Sequence, residues 1–146
     1  MTGEQWEKLV AVINGEVLEP LPVGFIIDSP WLPGWAGFSI MDYFSNEQMW
    51  FEANLKAIQK FPDVMFLPGF WAEFGMCTEP SAFGSKCRWA ENDLPFAEKV
   101  FTEIRQVHSL SKPNPKTDGL LPFVLNRLKH YQSHIEGEGH YIKFAV

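Results

Sequence analysis

Two short, unbroken apolar runs constrain this chain more than anything else in it: Val23-Gly24-Phe25-Ile26-Ile27 and Val64-Met65-Phe66-Leu67. Neither alternates apolar with polar residues, so neither suits a strand with one wet face. Continuous runs of this length belong to strands covered on both sides, as in a parallel sheet. Between them, segment 45–60 carries Met49, Trp50, Ala53, Ala57 and Ile58 at helical spacing and its pattern stops before Phe61-Pro62. Strand, helix and strand in that order make a parallel crossover, because a tight turn cannot join parallel neighbours.

The rest of the chain fits the same plan. Residues 2–14 read as a helix, with Thr2 as N-cap, Trp6, Leu9, Val10 and Ile13 on one face, and Gly15 just past the end. Asp28-Ser29-Pro30-Trp31-Leu32-Pro33-Gly34-Trp35, with its two indoles and two prolines, reads as a stiff aromatic loop. Lys86 to Trp89 can add a short strand, and 90–120 is irregular apart from helical turns around Phe96–Val107. Asp118 then caps a long helix over 119–136, with Val124, Leu125, Leu128, Tyr131 and Ile135 facing the core. Gly137 and Gly139 end it, and Tyr141–Val146 reads as a third principal strand. Three buried-type strands with intervening helices give an α/β class with a parallel sheet. A central strand at the very end of the chain lacks a neighbour, so the expectation is part of a larger barrel, or a half that pairs with a second copy through its open strand edge.

Composition narrows the function classes. The 146 residues are 46% apolar and 15% aromatic, enough to build a core and too apolar for a disordered chain. Twelve Lys and Arg against 18 Asp and Glu give a net charge of −6 with no run of like charge, which speaks against a nucleic-acid or membrane-surface role. No stretch approaches a membrane span, and the acidic, helix-like N-terminus is unlike a secretion signal, so a cytoplasmic protein is expected. Cys77 and Cys87 are then read as reduced thiols rather than a staple.

Few residues have the pattern of a reactive centre. His130 and His134 share one helix face, but no Glu stands between them as in H-E-x-x-H and Lys129 is adjacent, so they read as a solvated face and no metal site is expected. Glu73 and Glu79 stand in apolar, aromatic surroundings where desolvation would raise a carboxyl pKa, making them the candidate catalytic acids or bases, the alternative being that they cap loop amides. Asp28 and Ser29, at the tip of the first run, can bind ligand or accept loop amides. Trp31, Trp35, Phe70 and Trp71 either fill the core or wall a site for a flat, apolar ligand.

These residues also carry a family resemblance. G-F-I-I-D-S-P-W-L-P-G-W at 24–35, F-P-D-V-M-F-L-P-G-F-W-A-E-F-G-M-C-T-E-P-S-A-F-G at 61–84, and the helix-Gly-His-strand ending at 137–146 resemble the N-terminal portion of the uroporphyrinogen decarboxylase superfamily. That superfamily holds the decarboxylase of haem synthesis and cobalamin-dependent methyltransferases. The resemblance spans essentially the whole chain and implies a partial (β/α)8 TIM barrel, residues 1–146 forming its N-terminal part. In such barrels the working face is built from loops at the C-terminal ends of strands, where 28–35 and 68–84 fall.

The decarboxylases carry an arginine-rich R-Q-A-G-R-Y-type motif after the first strand, whereas this chain has Asp28-Ser29-Pro30-Trp31-Leu32-Pro33. The string Thr78-Glu79-Pro80-Ser81-Ala82-Phe83-Gly84 is closer to the methyltransferase branch. The resemblance therefore implies a segment of an enzyme moving methyl groups between a corrinoid and a small acceptor. Glu73 and Glu79 would be its catalytic candidates; Asp28, Ser29, Trp31, Trp35, Phe70, Trp71, Cys77 and Thr78 would be its substrate-binding candidates. Cobalamin and zinc are implied for the complete protein, the zinc ligands of that branch lying in the C-terminal half. The implied partners are a small-molecule substrate and a corrinoid protein. Porphyrinogen decarboxylation and a non-catalytic, self-associating half-barrel are the alternative readings.

Overall fold

The computed structural model describes residues 1–26, 30–67 and 69–137, with side chains through 132. Helix α1, Gly3–Ile13, starts as its sequence requires: the Thr2 hydroxyl accepts from Gln5 N and the Gln5 side chain accepts from Thr2 N, a reciprocal cap. Gly15 follows it with φ of +88°, a conformation that favours glycine.

Strands β1, Val23–Ile26, and β2, Val64–Leu67, pair in parallel with Val23 opposite Val64 and Ile26 opposite Leu67. Equal register puts Val23, Phe25, Val64 and Phe66 on one face and Gly24, Ile26, Met65 and Leu67 on the other. The crossover between the strands holds three helices instead of one: α2, Leu32–Ala36; α3, Ile40–Ser45; and α4, Glu47–Lys60. Pro33 sits in the first turn of α2, where its missing N–H is no loss, and Gly37 ends that helix in the left-handed conformation at φ +94°. A five-residue helix is too short to show periodicity, which is why 28–35 reads from sequence as loop. The segment 45–60 is divided at Asn46, whose side chain accepts from Gln48 N and Met49 N and so starts α4 anew.

The core lies between α4, the Phe66 face of the sheet, and α6, Leu121–Gly137. Trp50 is its centre, edge-on to Phe70 and Tyr131. After β2 come a 3-10 turn, Gly75–Cys77; α5, Thr78–Ala82; and a two-residue antiparallel pairing of β3, Cys87–Arg88, with β4, Phe96–Ala97. A second 3-10 segment covers Ile104–Ser109.

Several expectations are corrected. Strand β1 is exposed along its length, Phe25 at 55% and Ile26 at 73%, because among the described residues β2 is its sole strand neighbour. Phe96–Ala97 is strand, and the helical turns expected there begin at Ile104. Asp118 does not cap α6: its carboxylate accepts from Asn114 N and Thr117 Oγ1, closing the turn 114–118, while Leu120 N donates to Ser81 Oγ from α5. The third strand at 141–146 lies outside the described residues. What these residues show is a mixed α/β fold with one small parallel sheet, a single β-α-β unit and not a closed barrel. No described helix is long and apolar enough to cross a membrane.

Candidate functional site

The C-terminal tips of β1 and β2 are neighbours, since Ile26 pairs with Leu67. Each opens into one of the two aromatic strings. Asp28 and Ser29, at the first tip, lie outside the described residues. Beyond them Trp31, 42% exposed, stacks on Trp35 with ring centroids 5.2 Å apart, and Trp35 leans on Phe61 at 5.8 Å. The Lys56 ammonium lies 5.2 Å from the Trp35 ring centroid and donates to Ala36 O, which ties this loop to α4. Trp31 with Phe25, Ile26, Pro30, Phe61 and Phe66 walls an open cavity of about 500 Å³ in which every named side chain is apolar.

The second exit is organised by alternation. Gly69 turns the chain at φ +82°. The next residues place every second side chain inside: Phe70, Ala72 and Phe74 are buried, whereas Trp71 and Glu73 are half-buried between them. Phe70 packs on Trp50 and stacks on Phe51. The backbone is held at three points. Trp50 Nε1 donates to Trp71 O at 2.9 Å, Arg127 Nη1 donates to Ala72 O at 3.3 Å, and Phe74 N donates to Thr78 Oγ1 at 2.7 Å. With Phe70, Ala72 and Phe74 turned inward, Trp71 and Glu73 share the opposite side, where the indole N–H donates to the Glu73 carboxylate.

Of the residues expected at the site, the structure thus brings Trp71 to Glu73 and Trp31 to Trp35. Among the described residues it does not join the two pairs in one pocket, because those lining the cavity at Trp31 include none from the second exit. Phe70, Cys77 and Thr78 lie in the interior, Thr78 with its hydroxyl committed to Phe74 N. Glu79 is exposed in the first turn of α5, away from the interior that its apolar sequence neighbours suggested. His130 is exposed with its ring edge-on to Tyr131, and the side chain of His134 is outside the described set.

Sequence reasoning missed Arg127. It is fully enclosed, with its guanidinium carbon 4.3 Å from the Phe74 ring centroid and 4.8 Å from that of Trp50. Besides Ala72 O it donates to Phe44 O at 3.1 Å, so one cation clamps the second exit, α3 and α6 together. Its Nε is buried and has no hydrogen-bond partner among the described residues. Burial pushes its pKa down, only partly offset by Tyr43, Glu47 and Tyr131. A signal existed: position 127 falls on the α6 stripe formed by Val124, Leu128 and Tyr131, where a cation must be either paired or stacked.

Among the described residues no three of His, Cys, Asp and Glu are grouped to hold a metal ion, so this donor set does not fit zinc and no step below runs through it. The open apolar wall at Trp31 suits the flat face of a macrocycle.

In comparisons with known proteins, the uroporphyrinogen decarboxylase (URO-D) family model matches residues 4–146. No curated protein and no solved structure matches.

Proposed function

The chain belongs to the uroporphyrinogen decarboxylase family, and from that premise we propose that it is a segment of an enzyme moving methyl groups between a corrinoid and a small acceptor. The observation that carries this reading is where the arginines are. A polycarboxylate tetrapyrrole calls for guanidinium forks facing the ligand. Arg127 is enclosed by protein, and Arg88 and Arg105 form surface ion pairs with Glu98 and Glu103. The first strand exit offers stacked indoles and an apolar wall instead.

A corrinoid, when bound, supplies or accepts the methyl group. Trp31 and Trp35 are the wall this chain contributes, and Glu73, held by Trp71, is the carboxylate assigned to proton transfer at the acceptor. Asp28 and Ser29 at the first tip and Glu79 on α5 are secondary candidates for ligand contact.

Mixing the protein with methylcobalamin and a panel of thiols tests the proposal. The expected result is a change in the corrinoid spectrum with a methylated thiol by mass spectrometry, reduced by Glu73→Gln. An unchanged spectrum across the panel overturns it, and carbon dioxide release from uroporphyrinogen moves the assignment to decarboxylation.

One observation favours a second reading, a self-associating half-barrel: the exposed apolar length of β1. Sedimentation of the whole chain as a monomer at all concentrations would remove it.

A further inference from the structure

The chain's two cysteines, ten positions apart in sequence, meet in the fold. Cys77 ends the 3-10 turn that follows the second strand exit, and Cys87 opens β3. Both are free thiols. The Cys87 Sγ donates to the backbone carbonyl of Cys77 at 3.8 Å, which sets the two residues side by side. Their surroundings differ in a useful way. Cys77 has no exposed surface, whereas Cys87 is half-buried and reachable from solvent.

We propose that Cys77 and Cys87 form a site of reversible two-electron oxidation, in which a peroxide or a small disulfide attacks through Cys87 and Cys77 resolves the product into an intramolecular disulfide. With hydrogen peroxide, the Cys87 sulfur takes one oxygen to become a sulfenic acid while the peroxide's other oxygen leaves as water. The Cys77 sulfur then forms the S–S bond and expels that oxygen as a second water. Two thiols are oxidised and one peroxide is reduced to two waters. With a small disulfide, Cys87 forms the mixed disulfide and releases one thiol, and Cys77 displaces the second.

The order follows from access and acidity. Burial, and after it the neighbouring Cys87 thiol, pushes the Cys77 thiol up to about 12. Cys77 is therefore protonated at neutral pH and does not start the reaction. Its thiolate fraction rises about tenfold per pH unit below that value, so the resolving step accelerates with pH. The resulting link would fasten the turn behind the Trp71–Glu73 loop to the β3–β4 pair. This site does not depend on the methyl-transfer reading.

The test uses the whole native chain treated with oxidised glutathione or with hydrogen peroxide, followed by intact mass and thiol counting after denaturation. The expected product is a monomer about 2 Da lighter with no free thiol, restored by dithiothreitol. Cys77→Ser should stop at a stable glutathione adduct or a dimedone-trapped sulfenic acid, and Cys87→Ser should stay unmodified. A persistent glutathione adduct on the unaltered chain, a disulfide-linked dimer, or two thiols that survive treatment would each overturn the proposal. So would a Cys87→Ser chain that reacts as fast as Cys77→Ser.

Discussion

Replacing Arg127 with methionine, alanine and lysine separates what its charge contributes from what its shape contributes. Its two hydrogen bonds, to Ala72 O and Phe44 O, come from a charged donor and are each worth about 1.5–3 kcal/mol. Stacking on Trp50 and Phe74 adds about 1 kcal/mol per ring in a dry setting. Against these stands the penalty of several kcal/mol for holding a cation away from water with no carboxylate hydrogen-bonded to it among the described residues. The lowered pKa shows that burial outweighs the attraction of Glu47 and the tyrosines. Arg127→Met removes charge and hydrogen bonds together but keeps the stem in place, and should destabilise by about 2 kcal/mol. Arg127→Ala also leaves a cavity between Trp50 and Phe74 and should lose about 4–5 kcal/mol. Arg127→Lys keeps the full burial penalty while its compact, strongly hydrated ammonium cannot serve two carbonyls and two rings, so a loss of about 3 kcal/mol is expected. Urea midpoints at unchanged m-value give the three numbers. A lysine variant as stable as the original, combined with a methionine variant as poor as alanine, would mean that the charge itself holds the helices together and would refute this reasoning.

Three further outcomes follow from local geometry. Gly119→Ala should cost more than about 3 kcal/mol, since φ is +53° and a Cβ would overlap Ala82 N and Ser81; thermal melting of the variant checks this, and a shift within error would contradict it. Thr2→Ala should cost about 1 kcal/mol by opening the reciprocal cap with Gln5, read as a lower urea midpoint. The Asp118 carboxyl is held below its ordinary value of 3.8, first by Asn114 N and then by Thr117. A depressed carboxylate stabilises above the unfolded pKa and loses that contribution as pH falls through the folded one. Asp118→Asn should accordingly flatten the decline in stability below about pH 4, where the original chain weakens, and an unchanged acid limb in the pH titration would dismiss this role.

How much was legible in the sequence follows from range. The cap at Thr2, the start of β1, both boundaries of β2, their parallel pairing and most of α4 were readable because each rests on residues a few positions apart or on an apolar run long enough to name its element. The pairing of Trp71 with Glu73 was half legible: both stood out, but the alternation that turns Phe70, Ala72 and Phe74 inward needs Trp50 and Arg127 in place. The short helix at Leu32–Ala36 was not legible, since five residues with a proline and a glycine look like a loop until α4 packs beside them.

What the sequence determined by itself is the strand-helix-strand frame, the family, and the location of aromatic and acidic strings after each strand, all consequences of local pattern. Tertiary structure alone decided which of those residues remain reachable. It sank Phe70, Cys77 and Thr78 into the interior and left Glu79 in solvent. It also brought Cys87 back to Cys77 and drove the Arg127 cation, 55 residues from the carbonyl of Ala72, between two rings. Burial is a property of what packs from elsewhere in the chain, and no short window of residues contains that information.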